Sequence, residues 1–292
     1  MIIDAHQHYW QPQRGDYGWL EQAPAQLRRD FLPADIQAER RLAGVGASVL
    51  VQAAPAEAET RYLFELARID HDVLGVVGWV DFEAADVAAR IQALVRDGNG
   101  LLVGLRPMVQ DIADPDWLAK PALDAAFDAL QRYDLAFDAL VTPAQLPALG
   151  WRLAKESSLR AVLDHAGKPS LTCGGFRTWA MQIDQLADHT QLHCKFSGLL
   201  TQLAADMPDH AIDDYVEHLF ACFGAERLLW GSDWPVVTLR GDYRHWLALA
   251  QGYMRALAPT AEAAVFGDNA RSFYRLPSIE SSPATHGNAH DY

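Results

Sequence analysis

The chain has 292 residues, of which half are hydrophobic and only 21% are charged, so it can bury a large core and is not a disordered protein. Its net charge of −14 at pH 7 would repel phosphate backbones and anionic membrane surfaces, which argues against nucleic acid and membranes as partners. No apolar run reaches the roughly 18 residues of a membrane span, and no basic leader precedes the first apolar run, so we expect a cytoplasmic protein. The three cysteines, Cys173, Cys194 and Cys222, are irregularly spaced, so we expect them to be reduced thiols.

Eight short apolar runs rich in β-branched residues recur along the chain, and most are followed by an amphipathic helical segment. The predicted strands are Ile2–Ala5, Ala47–Val51, Val73–Val80, Leu101–Leu105, Leu135–Val141, Leu159–Leu163, Gln191–Phe196 and Leu228–Trp230. The predicted helices include Ala56–Ile69, Ala84–Val95, Pro121–Tyr133, Ala144–Ala154, Arg177–Ala187 and Ala211–Phe223. Eight alternations of strand and helix predict an α/β fold, a single-domain (β/α)₈ barrel of the TIM type over residues 1–277.

The spacing of polar and aromatic residues near the strand ends supports the same fold. These residues are His6, Gln52, Trp79, Arg106, Asp138, His165, Lys195 and Asp233, and neighbours in this series are 27 to 46 residues apart. A βα unit needs about 30 residues. The alternative is an open doubly wound sheet, but no glycine-rich phosphate-binding motif follows any predicted strand.

Two segments lie outside this alternation. Trp10–Phe31, after the first strand, is polar with several aromatic residues, and it is either part of the site wall or an ordinary surface loop. Residues 278–292 are polar and poor in apolar side chains, so we expect a loosely ordered C-terminal tail.

Two histidines separated by one residue end the first predicted strand, in the phrase IIDAHQH. The strand period of two points His6 and His8 to the same side, into the barrel mouth, where this fold carries its catalytic groups. Two imidazoles there suit a metal ion or a polarised carbonyl. In an arbitrary protein an H-x-H pair is more often structural. The catalytic interpretation here depends on the position of the pair at the end of the first barrel strand.

A third histidine and an aspartate end the sixth and eighth predicted strands. His165 lies in AVLDHAGKP, where the adjacent Asp164 could orient its ring and Lys168 adds a positive charge. Asp233 lies in LLWGSDWP, where a carboxylate can accept a proton from water near the barrel axis. Taken alone, the histidine could be an ordinary buried residue and the aspartate a turn cap. Together with the first-strand pair they predict a catalytic centre.

Six motifs occur in a fixed order over residues 1–274, namely MIIDAHQHYW, VGLRP, VLDHAGKP, CKFSGL, GSDWP and FGDNARSFY. In these motifs the chain resembles the amidohydrolase superfamily of the amidohydrolase 2 type. It is most similar to the lactonase branch, which includes L-fuconolactonase-like and L-rhamnonolactonase-like enzymes and 2-pyrone-4,6-dicarboxylate lactonase. The resemblance implies a (β/α)₈ barrel with the H-x-H pair at His6 and His8, the sixth-strand histidine at His165 and the eighth-strand catalytic aspartate at Asp233.

The chain departs from the metal-dependent members of the superfamily on two strands. Those members commonly carry a lysine on the fourth strand or a histidine on the fifth, where this sequence has Arg106 and Asp138. A binuclear site is therefore not expected. Three imidazoles and a carboxylate still form a sensible donor set for one divalent ion such as Zn²⁺, those of His6, His8, His165 and Asp233. Because the similar lactonases work without metal, we expect no cofactor to be indispensable.

The predicted function is hydrolysis of a small sugar-derived lactone to its aldonic acid. Asp233 would act as general base on water while the three histidines polarise the carbonyl, and no G-x-S-x-G motif supplies a covalent nucleophile. A pyrone dicarboxylate would call for several arginines, so a neutral lactone of the fucose, rhamnose or galactose type fits better. The residues predicted to bind it are Arg106, Lys195, Gln52, Trp79, Asp138, Trp10 and Trp234.

Two other functions stay open at this stage. The superfamily contains metal-dependent decarboxylases of aromatic or unsaturated acids, which would use the same four residues as ligands. Alternatively, the barrel could bind a sugar without any reaction. A homo-oligomer is compatible with the sequence in each case.

Overall fold

The computed structural model describes residues 1–171 and 175–277. The predicted tail and Cys173 lie outside the described residues. Cys194 is buried and Cys222 is partly exposed, and both are free thiols. None of the helices within these ranges is long and apolar enough to cross a membrane.

Eight parallel strands form one sheet in which spatial neighbours follow chain order. They are β1 (Ile2–Gln7), β2 (Val45–Val51), β3 (Val73–Gly78), β4 (Leu102–Leu105), β5 (Ala136–Ala139), β6 (Ala161–Leu163), β7 (His193–Phe196) and β8 (Leu228–Trp230). Backbone hydrogen bonds from Asp233 N to His6 O and from His8 N to Trp234 O, both 2.8 Å, join β1 to the segment after β8. The predicted single-domain (β/α)₈ barrel is confirmed.

The helices pack against this sheet. They are α1 (Pro33–Leu42), α2 (Glu57–Ile69), α3 (Val87–Gly98), α4 (Asp124–Arg132), α5 (Leu146–Lys155), α6 (Gly175–His189), α7 (Asp213–Phe223), α8 (Tyr243–Leu257) and α9 (Asn269–Tyr274). The sequence predicted α2 to α7 to within three residues at each end. The predicted helices did not include α1, α8 or α9. The one buried apolar residue of α1 is Ile36, and a single apolar position gives no helical stripe.

The apolar core has two parts. The larger one lies between the sheet and the helices, where α2 contributes Leu63, Phe64 and Ala67. The smaller one joins residues from the inner side of several strands, such as Val49 and Val162, to residues of the C-terminal segment that include Ala270, Phe273, Tyr274 and Leu276. The segment around α9 therefore packs into the barrel interior and fills the space beneath the site.

Candidate active site

Three histidines and one aspartate meet at the carboxyl ends of the strands. The Nε2 atoms of His6 and His8 are 3.2 Å apart. Asp233 Oδ1 lies 3.3 Å from His8 Nε2, 3.8 Å from His6 Nε2 and 3.8 Å from His165 Nε2. All four residues are buried. The structure thus brings together the four residues that were predicted to be catalytic.

Two of these residues have unusual backbone geometry. His165 has a φ of 52° and Asp233 a φ of 57°, both in the left-handed region that L-residues rarely adopt. Such a conformation costs about 1–3 kcal/mol per residue and persists only where the surrounding structure imposes it. Gly198 contributes to that surrounding structure, because a Cβ atom at this position would lie 2.5 Å from His165 Nδ1. The strain coincides with the point where strands β6 and β8 deliver their functional side chains.

The second ring nitrogen of each histidine has a different partner. His8 Nδ1 lies 2.8 Å from the carbonyl oxygen of Val51, and His165 Nδ1 lies 2.9 Å from Ser197 Oγ. The expectation that Asp164 orients His165 is wrong. Asp164 Oδ1 lies 3.5 Å from His6 Nδ1 instead, because the left-handed turn directs the two neighbouring side chains to different partners.

A buried ionic network lies beneath the histidines. Lys195 Nζ is 2.5 Å from Asp138 Oδ2 and 3.1 Å from Asp164 Oδ1, and all three side chains are fully buried. Tyr274 donates a 2.7 Å hydrogen bond to the same Asp138 oxygen. Burial alone would raise the pKa of Asp164, but the Lys195 ammonium and His6 hold it well below its ordinary value. Lys195 and Asp138, which were predicted to bind substrate, therefore lie under the site and within its supporting network.

Arg106 connects this network to the cavity. Its Nη1 donates to Asp164 Oδ2 at 3.1 Å, and its Nη2 donates to the carbonyl oxygen of Gln52. The Gln52 side chain in turn donates to the Arg106 carbonyl at 2.7 Å. Arg106 lines the cavity, whereas the fully buried Gln52 fixes the Arg106 backbone.

A cavity of about 240 Å³ opens above the four central residues. Trp10 and Trp19 form one side, so the Trp10–Phe31 segment is part of the site wall. Trp19 is fixed by a 2.8 Å hydrogen bond from its indole nitrogen to the Ala53 carbonyl. Among the described residues that line this cavity, neither Trp79 nor Trp234 is included. Trp234 packs edge-on against Phe31, with ring centroids 5.3 Å apart.

Several lining residues were not predicted. Lys168 Nζ donates a 2.5 Å hydrogen bond to Gln110 Oε1, and both residues line the cavity beside Asp111. Met108 and Leu140 add apolar surface. The sequence marked Lys168 only as a nearby charge. All of these residues lie in connections that follow strands. The weak signal that could have found them is position, because barrel active sites are built from the loops after the strands.

The pKa of His165 is lowered to about 4 because burial disfavours its charged form, although the Asp233 and Asp164 carboxylates act in the opposite direction. His165 is therefore neutral at pH 7. An unfolded histidine takes up a proton below about pH 6.5, whereas native His165 does so only below about pH 4. Between these pH values only the unfolded state binds the proton, so the free energy of unfolding falls as the pH falls from about 6.5 to about 4.

His165→Asn tests this state, because asparagine cannot titrate and tolerates left-handed backbone. Between pH 7 and pH 5, metal-stripped wild type should lose about 2 kcal/mol of unfolding free energy relative to the variant. Urea denaturation in EDTA at both pH values measures this. A difference between the two proteins that does not change with pH would show that His165 titrates normally.

A single divalent ion fits three of the four central residues, without His8. A tetrahedral ion with bonds of about 2.0–2.1 Å needs ligand atoms roughly 3.3–3.4 Å apart, and Asp233 Oδ1 lies 3.8 Å from the Nε2 atoms of both His6 and His165. His6, His165 and Asp233 form one of two potential metal-binding groups among the described residues. The other, formed by Asp184, His218 and Cys222 on α6 and α7, is already joined by its own hydrogen bonds.

Comparison with known proteins places this site in a family. The amidohydrolase family model matches residues 3–276. The chain is also 45% identical over 279 residues to the L-fucono-1,5-lactonase of Burkholderia ambifaria, covering 94% of this chain and 95% of that protein. The chain belongs to the amidohydrolase family.

Solved amidohydrolase structures agree with this assignment. A crystal structure of an amidohydrolase from Burkholderia multivorans with bound Zn matches with a TM-score of 0.87 and 32% identity, over 95% of this chain and 100% of that one. A divalent ion is thus present in a similar protein. The manganese-containing dihydroxybenzoic acid decarboxylase of Polaromonas shares only 11% identity at a TM-score of 0.63, covering 94% of this chain and 96% of that one, which is a likeness of fold alone.

Proposed function

We propose that this amidohydrolase hydrolyses the lactone of a six-carbon sugar acid, with L-fucono-1,5-lactone as the first substrate to test. The observation that carries the proposal is a buried carboxylate, Asp233, surrounded by three imidazoles at the base of a cavity of about 240 Å³. The 45% identity to a protein named L-fucono-1,5-lactonase supports the choice of substrate.

Asp233 acts as the general base in this proposal. Burial would raise its pKa, but the nearby His165 holds the pKa below its ordinary value, so the carboxylate is ionised at neutral pH. It accepts the proton of a water that attacks the lactone carbonyl, and it returns that proton to the ring oxygen as the C–O bond breaks. The balanced result is one water consumed and one hydroxy acid formed.

The histidines stabilise the charge that develops on the carbonyl oxygen. His165 lines the cavity and can reach this oxygen, and the fully buried His6 packs beside it with ring centroids 4.5 Å apart. Hydrogen-bond donors that are already in place at a developing oxyanion are worth about 10²–10³-fold in rate. A divalent ion bound by His6, His165 and Asp233 would supply Lewis-acid polarisation of the carbonyl and a lower pKa for bound water.

The cavity walls suit a neutral polyhydroxylated ring. Lys168, Gln110 and Asp111 offer donors and acceptors on one side, and the indoles of Trp10 and Trp19 offer flat apolar faces. The Asp111 carboxylate would repel a dicarboxylate substrate. Arg106, the guanidinium in this wall, is already paired with Asp164. These features favour a sugar lactone over a pyrone dicarboxylate.

A panel of lactones tests the proposal. Purified protein should release acid from L-fucono-1,5-lactone and related 1,4- and 1,5-aldonolactones, measured with a pH indicator and corrected for spontaneous hydrolysis. Phosphate monoesters and peptides should give no signal, because the sequence contains neither a glycine-rich phosphate-binding motif nor a G-x-S-x-G motif. Decarboxylation of an aromatic acid, or saturable lactone binding without acid release, would overturn the proposal in favour of a decarboxylase or a sugar-binding barrel.

A further inference from the structure

Lys195 is a fully buried cation that does not line the cavity formed by the described residues. Besides its two carboxylate partners, its Nζ lies 3.0 Å from His6 Nδ1. The Asp138 carboxylate and the Tyr274 hydroxyl bonded to it fix the ammonium at this distance. A lysine this enclosed can act on a reaction only through the groups that it contacts.

We propose that Lys195 is a positioning residue that keeps the His6 proton on Nε2, the nitrogen that faces His8 and Asp233, and that the same contact weakens His6 as a metal ligand. An ammonium group has three donors and no acceptor, so the Nδ1 atom facing it must accept. A neutral imidazole with an accepting Nδ1 carries its proton on Nε2.

The neighbouring histidine supports the same proton arrangement. His8 Nδ1 lies 2.8 Å from the Val51 carbonyl, which can only accept, so the His8 proton is on Nδ1 and its Nε2 is an acceptor. That acceptor lies 3.2 Å from His6 Nε2, where a donor is needed. Arg106 Nη1, which can only donate, lies 3.4 Å from the same His6 Nε2, farther than the 3.0 Å between Lys195 Nζ and His6 Nδ1. The shorter contact with Lys195 and the accepting Nε2 of His8 therefore favour a proton on His6 Nε2.

Metal binding requires the opposite arrangement at His6. An ion on Nε2 needs the proton on Nδ1, usually donated to a carboxylate or a carbonyl. Asp164 Oδ1, 3.5 Å from Nδ1, offers such an acceptor, but the proton would then face the Lys195 ammonium 3.0 Å away. Lys195 thus favours the tautomer in which His6 Nε2 is a hydrogen-bond donor. Asp164 favours the tautomer in which His6 Nε2 can bind an ion. The catalytic meaning of this balance rests on the proposed function, whereas the tautomer and the metal affinity do not.

The first test is the His6 tautomer itself. In metal-free protein labelled with ¹⁵N-histidine, the His6 signals, assigned by their loss in His6→Asn, should show a protonated Nε2. Lys195→Met should move the proton toward Nδ1 and Asp164, and Lys195→Arg, which also has donors only, should keep it on Nε2. A wild-type His6 with its proton on Nδ1 overturns the proposal, and this outcome can be read even if Lys195→Met does not fold.

The second test is metal affinity. Changes in the partners of metal-bound histidines alter affinity by about 10–100-fold, so Lys195→Met should bind Co²⁺ or Zn²⁺ at least about tenfold more tightly than wild type in titrations. Lys155→Met, which removes a partly exposed lysine paired with Asp124, controls for net charge and should leave affinity unchanged. Unchanged or weaker binding by Lys195→Met overturns the proposal. Failure of the lactone assay with both results as expected would count against the proposed function alone.

Discussion

Replacing Asp233 by asparagine should lower kcat by about 10²–10⁴-fold and change KM little, because the amide keeps the size of the side chain but cannot accept the proton of water. Asparagine also tolerates the left-handed φ of 57° at this position, so the backbone should be preserved. Initial rates on L-fucono-1,5-lactone over a range of concentrations separate the two constants.

Asp111→Asn is the matched control for this experiment. Its carboxylate lines the same cavity but is not part of the central cluster, so the change should act mainly on KM. Near-normal kcat in Asp233→Asn would place the base elsewhere. Asp138, the other aspartate among the predicted strand-end residues, is fully buried against Lys195 and Tyr274 and does not line the cavity.

Replacing Arg152 by methionine should destabilise the fold by about 3–5 kcal/mol, because it removes a fully buried guanidinium and leaves the backbone carbonyls that it bonds without their donor. The fully buried guanidinium donates to the carbonyls of Leu118 and Lys120 at 2.8 Å each, and to Asp124 Oδ1 at 2.7 Å and Glu156 Oε1 at 3.2 Å. These bonds fix helix α5 to the connection between β4 and α4, which also supplies lining residues to the cavity. Urea denaturation at pH 7 measures the loss.

Arg90→Met is the control for that loss of charge. Arg90 forms its ion pairs with Asp86 and Glu57 on the surface, so its replacement should change the free energy of unfolding by no more than about 0.5 kcal/mol. A cost below about 1 kcal/mol for Arg152→Met would mean that the connection keeps its position without this side chain.

The barrel and its four central residues could be predicted because both depend on strand ends. In a closed parallel barrel all strands end at one face, so polar residues at the ends of β1, β6 and β8 meet, although His6 and Asp233 are far apart in sequence. The strand period of two correctly turned His6 and His8 to the same site. None of this requires knowledge of the loops.

The depth of a side chain within the barrel and the course of the loops could not be predicted in the same way. The period of two gives the face on which a side chain lies, but not its depth, so Lys195 and Asp138 were assigned to substrate rather than to the network below it. The partner of Asp164 depends on the left-handed turn at His165, which no local pattern in DHAGKP specifies. Trp19 and Gln110 reach the cavity from irregular segments, whose course is set by tertiary packing.

The hydrogen bond from Tyr274 to Asp138 has a consequence for how the enzyme is made. The site draws its histidine pair from the first ten residues of the chain, and the ammonium beneath one of those histidines is held through a tyrosine near residue 277, the last residue that the structure describes. A nascent chain on the ribosome thus has no complete centre until α9 has emerged and entered the barrel. A chain that stops before Tyr274 should therefore lack the hydrogen bond that holds Asp138 and, through it, Lys195.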